Sequence, residues 1–213
     1  MENFHWTIPT GWYSHFVVSE SESKERLLAA AKALVLANGY SGTTVDSICA
    51  KAGLTKGSFY HFFKSKEELG IATLEWSMLK SGAILEEGPH LKVTDPVERS
   101  FAFLEHVENC SEQLWASGCI LASFAVELAD TNEKMREIVS GMFTQVMDYF
   151  AERFEPIVDA WPELPPAKDL SNEYLSLLEG SIIFAKAFRD PSRIASALRA
   201  FRQNLLRLTA AAV

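Results

Sequence analysis

The sequence predicts an all-α protein of about nine helices, with a small three-helix head ahead of a larger helical body. Three observations lead there. No stretch of the 213 residues alternates apolar and polar residues as a half-buried strand would. Apolar residues recur instead at spacings of three and four, in runs that open on Ser, Thr, Asp or Asn and stop at Gly or before Pro. Charge is also divided unevenly: residues 24–70 hold seven Lys/Arg against four acids, while the whole chain carries a formal net charge of −8.

The elements follow in order. SKERLLAAAKALVLANG sets Leu27, Leu28, Ala31, Leu34 and Val35 on one face and stops at Gly39. Thr43 opens TTVDSICAKAG, where Thr43 and Asp46 resemble a capping box with Asp in place of Glu or Gln. Val45, Ile48 and Cys49 face inward, and Gly53 ends this helix. Thr55 caps KGSFYHFF, a third helix anchored to the core by Phe59 and Phe62 and tolerating Gly57 in its first turn. Ser65 with Glu68 starts a fourth helix running toward residue 82. Gly88-Pro89-His90 breaks the pattern, and Asp95, Pro96 and Glu98 restart it for a helix to Trp115. After Gly118, CILASFAVELAD makes a sixth helix to Asp130, and Asn132 caps a seventh to Phe154. WPELPP is a loop, SNEYLSLLEGSIIFAKAF an almost wholly apolar eighth helix, and Asp190-Pro191 caps a last one to Leu208.

Bulk properties exclude several classes. With 48% apolar and 23% charged residues the chain can bury a core. No apolar run approaches the roughly 18 residues of a membrane span, and MENFHWTIPTGWY has neither the basic residues nor the apolar segment of a secretory signal. A cytoplasmic protein without membrane partners is expected. Cys49, Cys110 and Cys119 form neither an even disulfide set nor a CxxC pair, which suits a reducing compartment and leaves no metal site and no cofactor to expect. GxSxG, HExxH and phosphate-loop patterns are absent, so catalysis is not expected. The remote alternative is a cysteine enzyme using His106 and Cys110, which share a helix face, or Cys119.

Residues 44–69, TVDSICAKAGLTKGSFYHFFKSKEEL, carry the function. Two helices around a glycine turn form a helix-turn-helix, whose second helix enters the major groove of DNA. The start of that helix offers unpaired amides and partial positive charge to a phosphate, and Lys56 adds a full charge. Gly57 permits close backbone approach, Ser58 can address a base edge, and Tyr60 and His61 can reach bases or phosphates.

The stretch Thr43–Leu69, with Ala30 and Gly39-Tyr40 ahead of it, resembles the DNA-binding signature of the TetR family of bacterial transcriptional regulators. Cys49 departs from the family's usual alanine. The resemblance implies a homodimer on a palindromic double-stranded operator, with the last two helices of each chain forming the interface. It also implies a small-molecule effector bound among the middle helices that releases the DNA. It places Thr44 and Lys66 on phosphates at the edges of the head, and Tyr60 and His61 on phosphate or base. Residues 118–130 and 174–191 resemble, more loosely, regulators that respond to electrophiles, oxidants or small carbonyl compounds. An activator, or a repressor needing a corepressor, would carry the same head.

The expected division is an extension over 1–22, a head over 23–69, and a ligand-binding and dimerisation body over 70–213. Within the body, Phe103, His106, Cys110, Trp115, Phe124, Phe143 and Met147 are pocket candidates, because cavities between helices are lined by the same residue types as cores. Cys110 and Cys119 are candidate redox thiols, Cys119 through its place at a helix start. The eighth helix, apolar nearly all round, must be buried. Against the implied partner it would use Tyr174, Leu178, Ser181, Ile182 and Ala185, with Leu198, Phe201 and Leu205 from the last helix. The aromatic-rich, lysine-free start of the chain is expected to pack on the body or stay disordered rather than act as a DNA arm.

Overall fold

The computed structural model describes residues 22–211, so the expectation for the start of the chain lies outside the described residues. Nine α-helices follow one another there: α1 Glu22–Asn38, α2 Val45–Ala52, α3 Lys56–Phe62, α4 Lys66–Glu86, α5 Pro96–Trp115, α6 Ile120–Leu128, α7 Glu133–Ala160, α8 Ala167–Phe188 and α9 Ser192–Ala211. A 3-10 turn, Pro89–Lys92, joins α4 to α5. No strand occurs among the described residues, and no helix there is long and apolar enough to cross a membrane.

The head closes around its own apolar cluster. Leu27, Leu28 and Ala31 of α1 meet Ile48 and Cys49 of α2, Phe59 of α3, and Phe63 and Leu69 beyond it. Phe59 is fully buried, whereas Phe62 packs at the edge of this cluster. Gly53 ends α2 in the left-handed conformation (φ +64°), where a side chain would be strained. Its N–H turns back to the carbonyl of Ala50, so α3 can begin three residues later.

The cap of α2 differs from the sequence reading by one residue. Thr43 is buried, and its hydroxyl donates to the Gly39 carbonyl at 2.7 Å. Thr44 is therefore the cap: its hydroxyl accepts the Ser47 N–H at 3.1 Å, and its own N–H donates to Ser47 Oγ at 3.0 Å. A capping box is present, but it joins Thr44 to Ser47 and not Thr43 to Asp46.

Three helix ends also moved. Helix α4 continues past residue 82 to Glu86, whose carboxylate accepts the Tyr149 hydroxyl and an Arg153 N–H, each at 2.6 Å. Helix α7 runs past Phe154 to Ala160 because Ile157, fully buried, continues its apolar stripe. Pro156 lies within that last stretch and removes one helical hydrogen bond there, yet the helix continues to Ala160. Helix α8 starts earlier, at Ala167, directly after Pro166.

The body buries a second cluster around Phe103, Phe150, Phe154, Tyr174 and Leu178, with α8 packed against α7 and α9. A third, smaller cluster joins the two parts: Val35 and Leu36 of α1 and Leu74 of α4 pack on Leu121 and Phe124 of α6 and Met142 of α7. Head and body thus share α6 as a common surface.

Candidate nucleic-acid interface and effector cavity

Helix α3 presents its start to solvent. Thr55 caps it by accepting the Ser58 N–H at 3.1 Å, and Ser58 Oγ lies 3.1 Å from Thr55 Oγ1. A Cβ built on Gly57 would meet nothing nearer than Thr55 Oγ1 at 3.5 Å, so this backbone faces open space. Tyr60 is 59% exposed, with its ring edge against Phe59, and His61 is exposed beside Phe62. Lys56 is paired with Asp46 at 2.7 Å on the surface, and that carboxylate holds its ammonium above the usual lysine range. Gly57, Tyr60 and His61 are thus exposed on this short helix, with Ser58 half-buried among them, and Thr44 of the α2 cap is exposed as well.

Lys66 is placed differently. Its ammonium donates to the carbonyls of Tyr40 and Thr43, both at 3.0 Å, and lies 4.2 Å from the centre of the Tyr40 ring. Two of its three N–H groups are thus committed within the chain. The side chain is half-buried and ties down the turn that presents Thr44.

Between α1, α4, α5, α6, α7 and α8 lies a cavity of about 90 Å³. Of the expected residues, Trp115, Phe143 and Cys119 line it. The others do not, and packing explains why. Phe103 is locked between His90, Tyr149 and Phe150, and Phe124 lies on Tyr40. The carbonyl of Met147 accepts the Ser171 hydroxyl at 2.6 Å, and its side chain joins the main body cluster. His106 points back to the Ile84 carbonyl at 2.9 Å; since a carbonyl only accepts, Nε2 carries the hydrogen.

Cys110 Sγ lies 3.6 and 3.7 Å from the two ring nitrogens of His106. Being almost equidistant, it lies along neither nitrogen's lone pair, so His106 is badly placed to take its proton. Burial pushes the Cys110 thiol up. The acids around it in sequence do not cause this: Glu108 is buried against Arg199 at 2.6 Å and Arg202 at 3.0 Å. Cys119 caps α6, with the Ala122 N–H at 3.5 Å from its sulfur, yet burial raises its pKa far more strongly and the Glu179 carboxyl adds to that.

The sequence reading missed much of the cavity lining, including its two charged residues, Lys32 of α1 and Glu179 of α8. The signal was there: each is a lone charge inside an apolar run, LLAAAKALVL and LSLLEGSIIF.

The eighth helix also divides its apolar residues differently. Tyr174, Leu178, Ser181, Ile182 and Ala185, with Leu198 and Leu205 of α9, are buried within the chain itself, and Phe201 is half-buried against Phe154 and Tyr174. These belong to the intrachain core, with Phe201 at its edge. The unburied apolar residues are Leu177, Ile183, Phe184 and Phe188 of α8, the last three 59–69% exposed, with Leu206 and Leu208 of α9.

Known proteins share this arrangement. Residues 27–73 match the family described as bacterial regulatory proteins, tetR family, and residues 96–201 match the tetracyclin repressor-like C-terminal domain. The chain belongs to the TetR family. The repressor NemR of Escherichia coli (strain K12) is 32% identical over 120 residues, 55% of this chain, and the match spans 60% of NemR's length. A TetR transcriptional regulator from Chloroflexus aurantiacus superposes with a TM-score of 0.74 at 26% identity, covering 87% of this chain and 94% of that one. The reduced form of E. coli NemR superposes with a TM-score of 0.67 at 25% identity, over 85% of this chain and 95% of its own. The tetR-family match falls on the head, and the C-terminal match falls on the helices around the cavity.

Proposed function

We propose that this TetR-family protein is a cytoplasmic repressor that binds a palindromic operator as a homodimer and leaves it when a small molecule occupies the cavity. The observation that carries the reading is the exposed face of α3: Gly57, Tyr60 and His61 are open to solvent, with Ser58 half-buried beside them, on a head with its own buried core. A helix held this way fits the major groove, and Lys56, Lys64 and the Thr44 cap lie beside it for phosphates. The division into a head over 23–69 and a body over 70–213 is supported by their separate apolar clusters. The exposed stripe Leu177, Phe184 and Phe188 supports isologous pairing through α8 and α9, which would repeat the head about a two-fold axis. Effector sensing is supported by the aromatic cavity against α6, the helix shared with the head. Cys119, inside that cavity, is the thiol placed to meet an effector.

The test is a gel-shift titration of the protein on DNA from upstream of its own gene. Tyr60→Ala should abolish the shift while the protein stays dimeric, and affinity should fall steeply with salt. Wild-type affinity in Tyr60→Ala, or a shift insensitive to salt, would overturn the reading.

A further inference from the structure

We propose that Lys186 is a positioning residue for operator recognition: together with Glu127 it fixes the angle of the head on the body, and so the spacing of operator half-sites that the dimer accepts. This rests on the reading of a homodimer on a palindromic operator. The observation behind it is a hydrogen bond of α1 divided between two other helices. The helical ladder of α1 ends with the Gly39 N–H on the Val35 carbonyl at 2.8 Å. One step further, the Tyr40 N–H would meet the Leu36 carbonyl, but Gly39 turns the chain away at φ +79°. The body takes up each half of that pair. The Leu36 carbonyl accepts from the Lys186 ammonium of α8 at 2.7 Å, and the Tyr40 N–H donates to the Glu127 carboxylate of α6 at 2.6 Å. A Cβ on Gly39 would lie 2.5 Å from Glu127 Oε1, so the carboxylate's close approach needs glycine there.

Charge suits each half. The last turn of α1 contains no basic residue of its own, so the cation at the negative end of its dipole comes from α8, 150 residues along the chain. Apolar packing of Val35 and Leu36 on α6 is non-directional and would let the head tilt. The Lys134–Glu67 pair, at 2.6 Å, lies at the surface, where such pairs contribute little. Two directional, charge-assisted bonds from two different helices resist that tilt. Lys186 also ties the head directly to α8, whose outward stripe of Leu177, Phe184 and Phe188 is the face proposed for the partner. The two-fold axis, α8 and the end of α1 are thereby linked in series, and the two reading helices inherit their separation from that link.

The test uses the full chain and duplexes cut from the upstream DNA that it shifts, with the centre of the footprint lengthened or shortened by one base pair. The wild type should lose at least about tenfold in affinity on each altered duplex, the scale of a misplaced base contact. Lys186→Met keeps the apolar stem and removes the donor; it should discriminate by less than about threefold, since a head free to tilt is no longer set for one spacing. Lys186→Arg returns a charged donor and should recover the discrimination. Lost stability alone would weaken binding to every duplex equally and leave the ratio unchanged. A wild type indifferent to spacing, an unchanged ratio in Lys186→Met or no recovery in Lys186→Arg overturns the proposal, while the wild-type shift on the natural fragment still supports the regulator reading. A wild type that binds no fragment overturns both.

Discussion

The Glu127 carboxylate, near the end of α6, accepts the backbone N–H of Tyr40 at 2.6 Å and that of Ser41 at 2.9 Å. These amides belong to the turn between α1 and α2, whose other side Lys66 holds through the carbonyls of Tyr40 and Thr43. One turn of the head is thus gripped from the body and from α4 at once. The same α6 begins at the cavity, where Cys119, Ile120 and Leu121 line the wall. A shift of α6 on ligand binding would reach Thr44 within a few residues.

Glu127→Ala should weaken operator binding by about tenfold or more, since it removes hydrogen bonds to a charged acceptor worth about 1.5–3 kcal/mol each. Hydrogen exchange at Tyr40 and Ser41 should speed up, and amides left protected with unchanged affinity would show that the turn holds without the grip. The pH dependence has a definite sign. Burial alone would raise the Glu127 carboxyl, but the Ser41 and Tyr40 amides outweigh it and hold it below the usual range. A depressed carboxylate stabilises the fold above its unfolded pKa of about 4.3 and loses that contribution as pH falls through the folded value. Acid titration should therefore loosen the turn in the wild type at pH values below about 4, and leave Glu127→Gln indifferent over that window.

Neighbouring aromatic residues in α3 should separate function from stability. Phe59→Ala empties a fully buried site and should cost about 3–5 kcal/mol, seen as a lowered unfolding midpoint. Tyr60→Ala should leave the midpoint within about 0.5 kcal/mol of wild type, as surface changes do, while removing operator binding.

Alternate positions on α8 make a second pair. Phe184→Glu charges an exposed site and should give a folded monomer in sedimentation analysis, whereas Ile182→Glu charges a buried one and should prevent folding. A dimeric Phe184→Glu would place the interface elsewhere.

Cys119 should resist alkylation by iodoacetamide at neutral pH, because burial and then the Glu179 carboxyl disfavour its thiolate. Glu179→Gln should speed the reaction, and an unchanged rate would leave burial as the whole cause. Mass spectrometry of the labelled peptide distinguishes it from Cys110.

The helices were legible because their signals are local. Ser65, Asp95 and Asn132 each cap the helix they were read to cap, since capping needs only the next three amides. The exposed set at α3 was legible for the same reason, as a motif within one short segment. Thr43 was misread as the cap in place of Thr44, because Thr43 is buried by contacts that neighbouring residues do not reveal.

The sequence by itself determined the all-α succession of helices, the short exposed α3 and the family, all of which depend on short-range pattern and backbone chemistry. Only the tertiary structure decided which apolar face of α8 is core, which aromatics enclose a cavity, and where a lone charge such as Lys32 or Glu179 points. A helix with apolar residues on every side has no preferred face until its neighbours pack against it. Lys66 is the plainest case: its partners are the carbonyls of Tyr40 and Thr43, brought beneath its ammonium only when α4 docks against the α1–α2 turn.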